Sequence, residues 1–286
     1  MSPDTPHTPD VPPHTPGAPH RDPLPLRGRT ALVTGASRRA GIGWAIARRL
    51  VAYGAGVYLH HHVPHDAAKP WGADPDGPGA LVAGLRPLAA DGAVVAHGPA
   101  DLTAPGAPAR LVDTAAEALG GRLDILVANH ALSGEDGPLD EIDADMLDAH
   151  WAVNTRSTVL LVQAYARRRQ ESREGGRVVM MTSGQDQGAG MPGELAYALS
   201  KGALASVTRS LATALARRGV TVNTVNPGPV DTGYLTGEEY AAVAAMFPGG
   251  RWGQPDDPAR LVAWLATDEA AWITGQVIDS DGGFTR

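Results

Sequence analysis

Seven short runs of β-branched and aliphatic residues, separated by longer stretches of helical period, restrict what this chain can fold into more than any other feature. The runs lie at 31–35 (ALVTG), 56–60 (GVYLH), 93–96 (AVVA), 124–128 (DILVA), 177–181 (RVVMM), 220–225 (VTVNTV) and 276–279 (QVID). Helical stretches fall at roughly 42–53, 78–90, 106–119, 143–171, 195–218 and 256–267. Strand alternating with helix in this way is the pattern of a parallel sheet with crossover connections. Right-handed crossovers place the helices on both faces. The expectation is an α/β, doubly wound, seven-stranded parallel sheet forming one domain. Ligands of such sheets bind beyond the carboxyl ends of the strands. There the sequence puts its loops rich in Gly, Asn, Ser and Pro, and the longer ones, 61–77, 129–142, 184–194 and 228–255, are predicted to wall one site.

A chain of 286 residues can bury enough surface to fold without a staple, and it contains no Cys, which excludes disulfides and thiolate metal sites. Its 24 Lys and Arg against 31 Asp and Glu leave a net charge of −7. No global field therefore draws the chain to nucleic acid. There is no apolar run of ~18 residues and no basic segment leading into an apolar one at the N-terminus, so neither a membrane span nor a signal peptide is expected and the location expected is cytoplasmic. Residues 1–27 hold nine Pro and almost no large apolar side chains. They read as a disordered tail, with the domain over 28–286. No metal is expected: His7, His14 and His20 are irregularly spaced in the tail, and the consecutive His60, His61 and His62 point to alternating faces of a strand.

The first strand leads directly into Thr34-Gly35-Ala36-Ser37-Arg38-Arg39-Ala40-Gly41-Ile42-Gly43 and then a helix. Glycines at such a turn let the backbone approach a pyrophosphate, which rests against the N–H groups and positive dipole end of the helix. Farther on, Tyr197 and Lys201 lie four residues apart in a strongly helical segment, on one face and about 6 Å apart along the axis, so both can reach one cleft. A nearby cation favours phenolate and moves a tyrosine toward useful proton transfer. Ser183 ends the preceding strand fourteen residues before Tyr197, with Thr182 as the alternative if the register is off by one. Asn154 lies in the long helical stretch, and Asn226-Pro227-Gly228-Pro229-Val230-Asp231-Thr232 follows the sixth strand.

Taken together, these segments resemble the short-chain dehydrogenase/reductase family, over about residues 28–284, and in texture the β-ketoacyl-carrier-protein reductases and related reductases of secondary metabolism. The resemblance implies a Rossmann-type fold in which Ser183 orients the substrate carbonyl and Tyr197 donates the proton. Lys201 lowers the Tyr pKa and binds the nicotinamide ribose, and Asn154 holds a water in the proton relay. It assigns the cofactor to Gly35, Ser37, Gly41, Ile42 and Gly43 in the turn, and to Asp101 and Leu102 at the adenine. It adds Asn129, Tyr197 and Lys201, then Pro227, Gly228, Val230 and Thr232 at the nicotinamide. The turn is two residues longer than the family's usual TGxxxGxG. The segment LVANHA departs from the family's NNAG at Ala128, His130 and Ala131, which brings His130 toward the nicotinamide ribose. No carboxylate follows the second strand, where one would bind a free ribose 2′-hydroxyl. Arg38 and Arg39 offer forks suited to a 2′-phosphate instead, with His61 or His62 beside the adenosine end, so NADPH/NADP+ is the cofactor expected. The partners expected are a small-molecule substrate and further copies of the chain, as a homotetramer or dimer. A carbonyl reductase is the reading favoured. Reduction of an iminium or hemiaminal carbon, alcohol dehydrogenation, and non-catalytic NADP(H) sensing are its alternatives.

Overall fold

The computed structural model describes residues 22–169, 175–188 and 190–284. The seven strands are β1 (Thr30–Val33), β2 (Gly56–His61), β3 (Val95–Pro99), β4 (Ile125–Ala128), β5 (Gly176–Met181), β6 (Val220–Asn226) and β7 (Val277–Asp279). They form one sheet in the order β3-β2-β1-β4-β5-β6-β7, parallel at every pairing. The order reverses between β1 and β4. That is the switch point at which a doubly wound sheet opens a crevice for a ligand.

Period-two alternation along the strands sorts the core into two halves. Ala31, Val33, Ile125, Val127, Val179 and Met181 pack on the face covered by α1 (Ile42–Ala52), α3 (Gly77–Leu85) and α9 (Asp256–Leu265). Leu32, Leu126, Ala128, Val178 and Met180 pack on the face covered by α4 (Ala107–Ala118), α6 (Ser157–Arg168) and α7 (Leu195–Leu215). Each Leu, Ile or Val so buried contributes roughly 1.5–3 kcal/mol, which fixes the register that brings all strand ends to one edge.

Three differences from the sequence reading matter for the site. The folded unit starts before residue 28: Leu26 is fully buried in the core, and its N–H bonds the Tyr53 carbonyl at 2.9 Å. The last residues assigned to the tail therefore belong to the domain, while residues 1–21, with His7, His14 and His20, lie outside the described residues. The segment 143–171 is not one α-helix: α5 (Ala144–His150) passes into a π-helical turn, Trp151–Arg156, before α6. The segments read as loops 61–77 and 228–255 carry two short helices, α2 (Val63–Ala67) and α8 (Gly237–Ala245). Among the described residues no helix is long and apolar enough to cross a membrane, and no three His, Asp or Glu side chains are grouped as metal ligands.

Candidate active site

The Gly-rich turn between β1 and α1 is shaped by close backbone approach. Gly35 has φ +68°, and a Cβ there would lie 2.6 Å from the His130 Cα; a Cβ on Gly43 would lie 2.4 Å from the Gly35 carbonyl oxygen. Both positions require Gly. Asn129, at the end of β4, ties the turn down by donating from Nδ2 to the carbonyls of Thr34 and Gly35, each at 3.0 Å. Helix α1 starts at Ile42 behind Gly41 with no side-chain cap. Its first N–H groups thus keep their capacity for a bound anion.

This turn forms one wall of a cleft of about 610 Å³. Gly35, Ser37, Arg38, Gly41, Ile42, Asp101, Leu102, Asn129, Tyr197, Lys201, Pro227 and Thr232 all line it, together with His130 and Thr182. Of the expected residues, Arg39, Gly43, His61, Asn154, Ser183, Gly228 and Val230 do not line it.

Helix α7 puts Tyr197 and Lys201 on the cleft side one turn apart, with the Lys201 Nζ 5.8 Å from the centre of the Tyr197 ring. Lys201 is 2% exposed, and its Nζ donates to the Met181 carbonyl at 3.0 Å, at the end of β5. Burial pushes its pKa down to about 8. Thr182 donates its hydroxyl to the Lys201 carbonyl at 2.8 Å, so this group serves the helix backbone. The Ser183 hydroxyl faces the Met191 sulfur at 3.9 Å. Asn154, fully buried in the π turn, accepts the Leu132 N–H at 2.7 Å and donates to the Leu132 carbonyl at 3.1 Å and the Ser200 hydroxyl at 2.9 Å. Its amide joins the loop after β4 to α7, one residue before Lys201. Gly228 has φ +60°, and a Cβ there would meet Asp281 at 2.5 Å. Val230 pairs with Gly253 in an isolated bridge. Both shape the loop that presents Thr232.

The arginines separate. The Arg38 guanidinium donates to the Thr232 carbonyl, joining the Gly-rich turn to the loop after β6, and lies 5.7 Å from the centre of the Trp71 ring. Arg39 is turned away: its fork is filled by Asp74, with Nε and Nη2 donating at 3.0 and 2.7 Å, and by Asp76. Strand alternation separates His60 from His61 at the end of β2, and His62 follows the strand. His60 and His62 line the cleft, whereas His61 faces the other side and meets the His97 ring on β3 at 3.1 Å. Of His61 and His62, the two the sequence offered for the adenosine end, it is His62 that lines the cleft. The segment 61–77, expected as a wall of the site, does line the cleft through His65, Asp66, Lys69 and Trp71, none of them named as a site residue from the sequence, with Lys69 reaching Glu135 across it at 3.0 Å. An apolar or ring-bearing residue within a His-, Asp- and Gly-rich insertion, such as Trp71, was the available signal.

His130 takes the place of the family's Ala, and its ring is fixed on both sides. Thr34 Oγ1 lies 2.7 Å from Nδ1, and the Val153 carbonyl 3.1 Å from Nε2, so Nε2 carries the proton and Nδ1 accepts. Burial, then His60 and Lys201, lower its pKa well below the usual histidine value, and burial lowers that of His60 to about 4. In the unfolded chain both titrate near 6.5. Below that pH the unfolded state holds the extra protons, so stability is full above ~6.5 and falls as pH drops toward 4. For His60 the loss is of order 3 kcal/mol over that window. Calorimetric Tm values from pH 7.5 to 4.5 should fall accordingly, and His60→Asn should flatten the decline.

A doubly wound sheet with an uncapped Gly-rich turn at its switch point and a Tyr–Lys pair across the same cleft is the framework of a dinucleotide-dependent oxidoreductase. The family model described as Enoyl-(Acyl carrier protein) reductase matches residues 35–285. The chain is 42% identical over 259 residues to the uncharacterized oxidoreductase YjdA of Bacillus subtilis, covering 90% of this chain and 97% of that protein. Among solved structures, a short chain dehydrogenase from Burkholderia cenocepacia in complex with NADP is 39% identical, with a TM-score of 0.75 over 90% of this chain and 98% of that one. The promiscuous reductase LugOII, which catalyzes keto-reduction at C1 during lugdunomycin biosynthesis, is 36% identical, with a TM-score of 0.76 over 90% and 98%. The chain belongs to the short-chain dehydrogenase/reductase family of oxidoreductases.

Proposed function

We propose that this enzyme is an NADPH-dependent reductase acting on a carbonyl carbon of a small molecule, of the secondary-metabolite or acyl-thioester class. The observation that carries the reading is the placement of Tyr197 and Lys201 in the same cleft as the Gly-rich turn. The uncapped start of α1, with Gly35, Ser37, Gly41 and Ile42 lining the cleft in front of it, fits a dinucleotide pyrophosphate. Gly35, Ser37, Gly41 and Ile42 would hold it, with Asp101 and Leu102 at the adenine and Asn129, Pro227 and Thr232 toward the nicotinamide. When bound, the dihydronicotinamide supplies the hydride.

The chain's own groups supply the rest. Tyr197 gives its phenolic proton to the substrate oxygen. Lys201, as a buried cation beside the ring, favours the phenolate that remains and hydrogen-bonds the nicotinamide ribose. Ser183 orients the substrate oxygen, its hydroxyl turning from Met191 to do so. Asn154 holds the loop after β4 and α7 at a fixed spacing, which keeps the relay side of Lys201 in place. Support for a homo-oligomer comes from exposed Trp151 (50%) and Leu199 (62%), with Leu147 and Leu160, on the α5–α7 face that a second copy would cover.

Support for NADPH comes from the NADP-bound relative and from Arg38 in the cleft; support for a ketone acceptor comes from LugOII. NADPH oxidation measured across acyl-thioester ketones, cyclic ketones, quinones and cyclic imines tests the assignment: turnover confined to imines would move it to a C=N reductase. Arg38→Ala is expected to weaken NADPH by ~1.5–3 kcal/mol and NADH little, if its guanidinium leaves Thr232 for the 2′-phosphate. Equal losses in paired titrations would place Arg38 at the pyrophosphate shared by both nucleotides.

A further inference from the structure

The loop between β4 and α5 carries a buried carboxylate that the chemistry above does not use. The Asp136 side chain is 2% exposed. Its Oδ1 accepts the N–H of Gly137 at 2.8 Å and of Ala196 at 3.0 Å, and its Oδ2 accepts the N–H of Tyr197 at 2.7 Å. Helix α7 begins at Leu195, and Glu194 before it provides no side-chain cap. Asp136 therefore caps the helix from a distant segment, taking N–H groups that the first turn cannot satisfy internally. The backbone of the proposed proton donor hangs directly on one oxygen of this carboxylate.

That oxygen faces a second buried group. His150, the last residue of α5, has no exposed surface. Its Nδ1 lies 2.9 Å from the Met146 carbonyl, which only accepts, so Nδ1 carries a proton. Its Nε2 lies 3.9 Å from the Asp136 Oδ2 and has no hydrogen-bond partner among the described residues. The imidazole also stands edge-on to the Tyr197 ring, with centres 6.4 Å apart and planes at 89°. The charged groups around it are Asp136 and Glu135 on the loop after β4, the latter paired with Lys69 from the segment after α2; Tyr197 faces it from α7. With its one proton on Nδ1, His150 sets an Nε2 lone pair toward a carboxylate oxygen.

We propose that Asp136 and His150 are a positioning pair for Tyr197, the Asp136 Oδ2 holding its backbone N–H and the edge of the His150 imidazole holding its ring. Neither residue touches the reacting atoms. The effect passes through one shared oxygen and one edge-to-ring contact. Its consequence for turnover rests on the reading of Tyr197 as proton donor, but the coupling itself does not.

The test uses the full chain without substrate. With ¹⁵N label on the tyrosine amides and ¹³C label on the tyrosine rings, the Tyr197 signals are compared by NMR in the native chain, Asp136→Asn and His150→Gln. Asp136→Asn is expected to move the Tyr197 amide signal and His150→Gln its ring signal, with melting curves showing which variants fold; where Asp136→Asn does not fold, His150→Gln decides the question. Native Tyr197 signals in a folded variant overturn the proposal. Once a substrate is in hand, His150→Gln should lower kcat about tenfold or more with KM unchanged; native kcat, or a loss confined to KM, would also overturn it.

Discussion

Replacing Tyr197 by Phe is expected to lower kcat by ~10² to 10⁴ while leaving nucleotide affinity near its native value. The substitution removes one hydroxyl and keeps the ring, so its packing against His150 and Lys201 persists. Lys201→Ala should act on both steps. It removes the buried cation beside the ring, and it leaves the Met181 carbonyl without the N–H donor that it now has at 3.0 Å. Turnover should fall at least as far as in Tyr197→Phe, and the nucleotide Kd should rise as well. Initial rates combined with a fluorescence titration of the nucleotide separate the two effects. Near-native kcat in Tyr197→Phe would remove this residue from the role of proton donor.

Gly35→Ala is expected to damage the fold and the cleft together. The new methyl would sit 2.6 Å from the His130 Cα and 2.8 Å from its N, both backbone atoms, at a φ of +68°. The left-handed conformation costs a non-glycine residue about 1–3 kcal/mol, and forced overpacking typically adds 1–3 more. Against a total stability of about 5–15 kcal/mol, that is a large fraction. Denaturant midpoints should drop sharply, and nucleotide binding should be lost even where the variant remains folded. Relief by displacement of His130 would itself break the contacts its ring makes to Thr34 and Val153.

The sheet was legible because its signal is local: each strand is a short apolar run, and residues on its two faces sort by period two. Even there β3 runs from Val95 to Pro99 where the sequence suggested 93–96, since pairing of Val57 with Val95 decides where it starts. Tyr197 and Lys201 were legible from their place after Ser183 and the Gly-rich turn, since their spacing alone is common to any long helix. Arg39 was not, because Asp74 and Asp76, 35 and 37 residues along the chain, capture its fork. Nothing near Arg39 in sequence announces that pairing. Asp136 escaped notice for the same reason, since the amides it caps lie about 60 residues away. The π turn has no composition of its own: WAVNTR reads as ordinary helix, and only the backbone reveals the wider turn.

That turn, Trp151–Arg156, has a consequence for how this chain can vary. A π turn holds one residue more than an α-helix needs to cover the same stretch. Deleting one residue from it would let α5 and α6 run on as a continuous α-helix, each keeping its buried face, so the architecture would tolerate the loss. Asn154 would lose its place opposite Leu132 and Ser200. A natural variant one residue shorter here would therefore keep the family's fold while losing the spacing between the loop after β4 and α7, a separation of scaffold from chemistry visible in chain length alone.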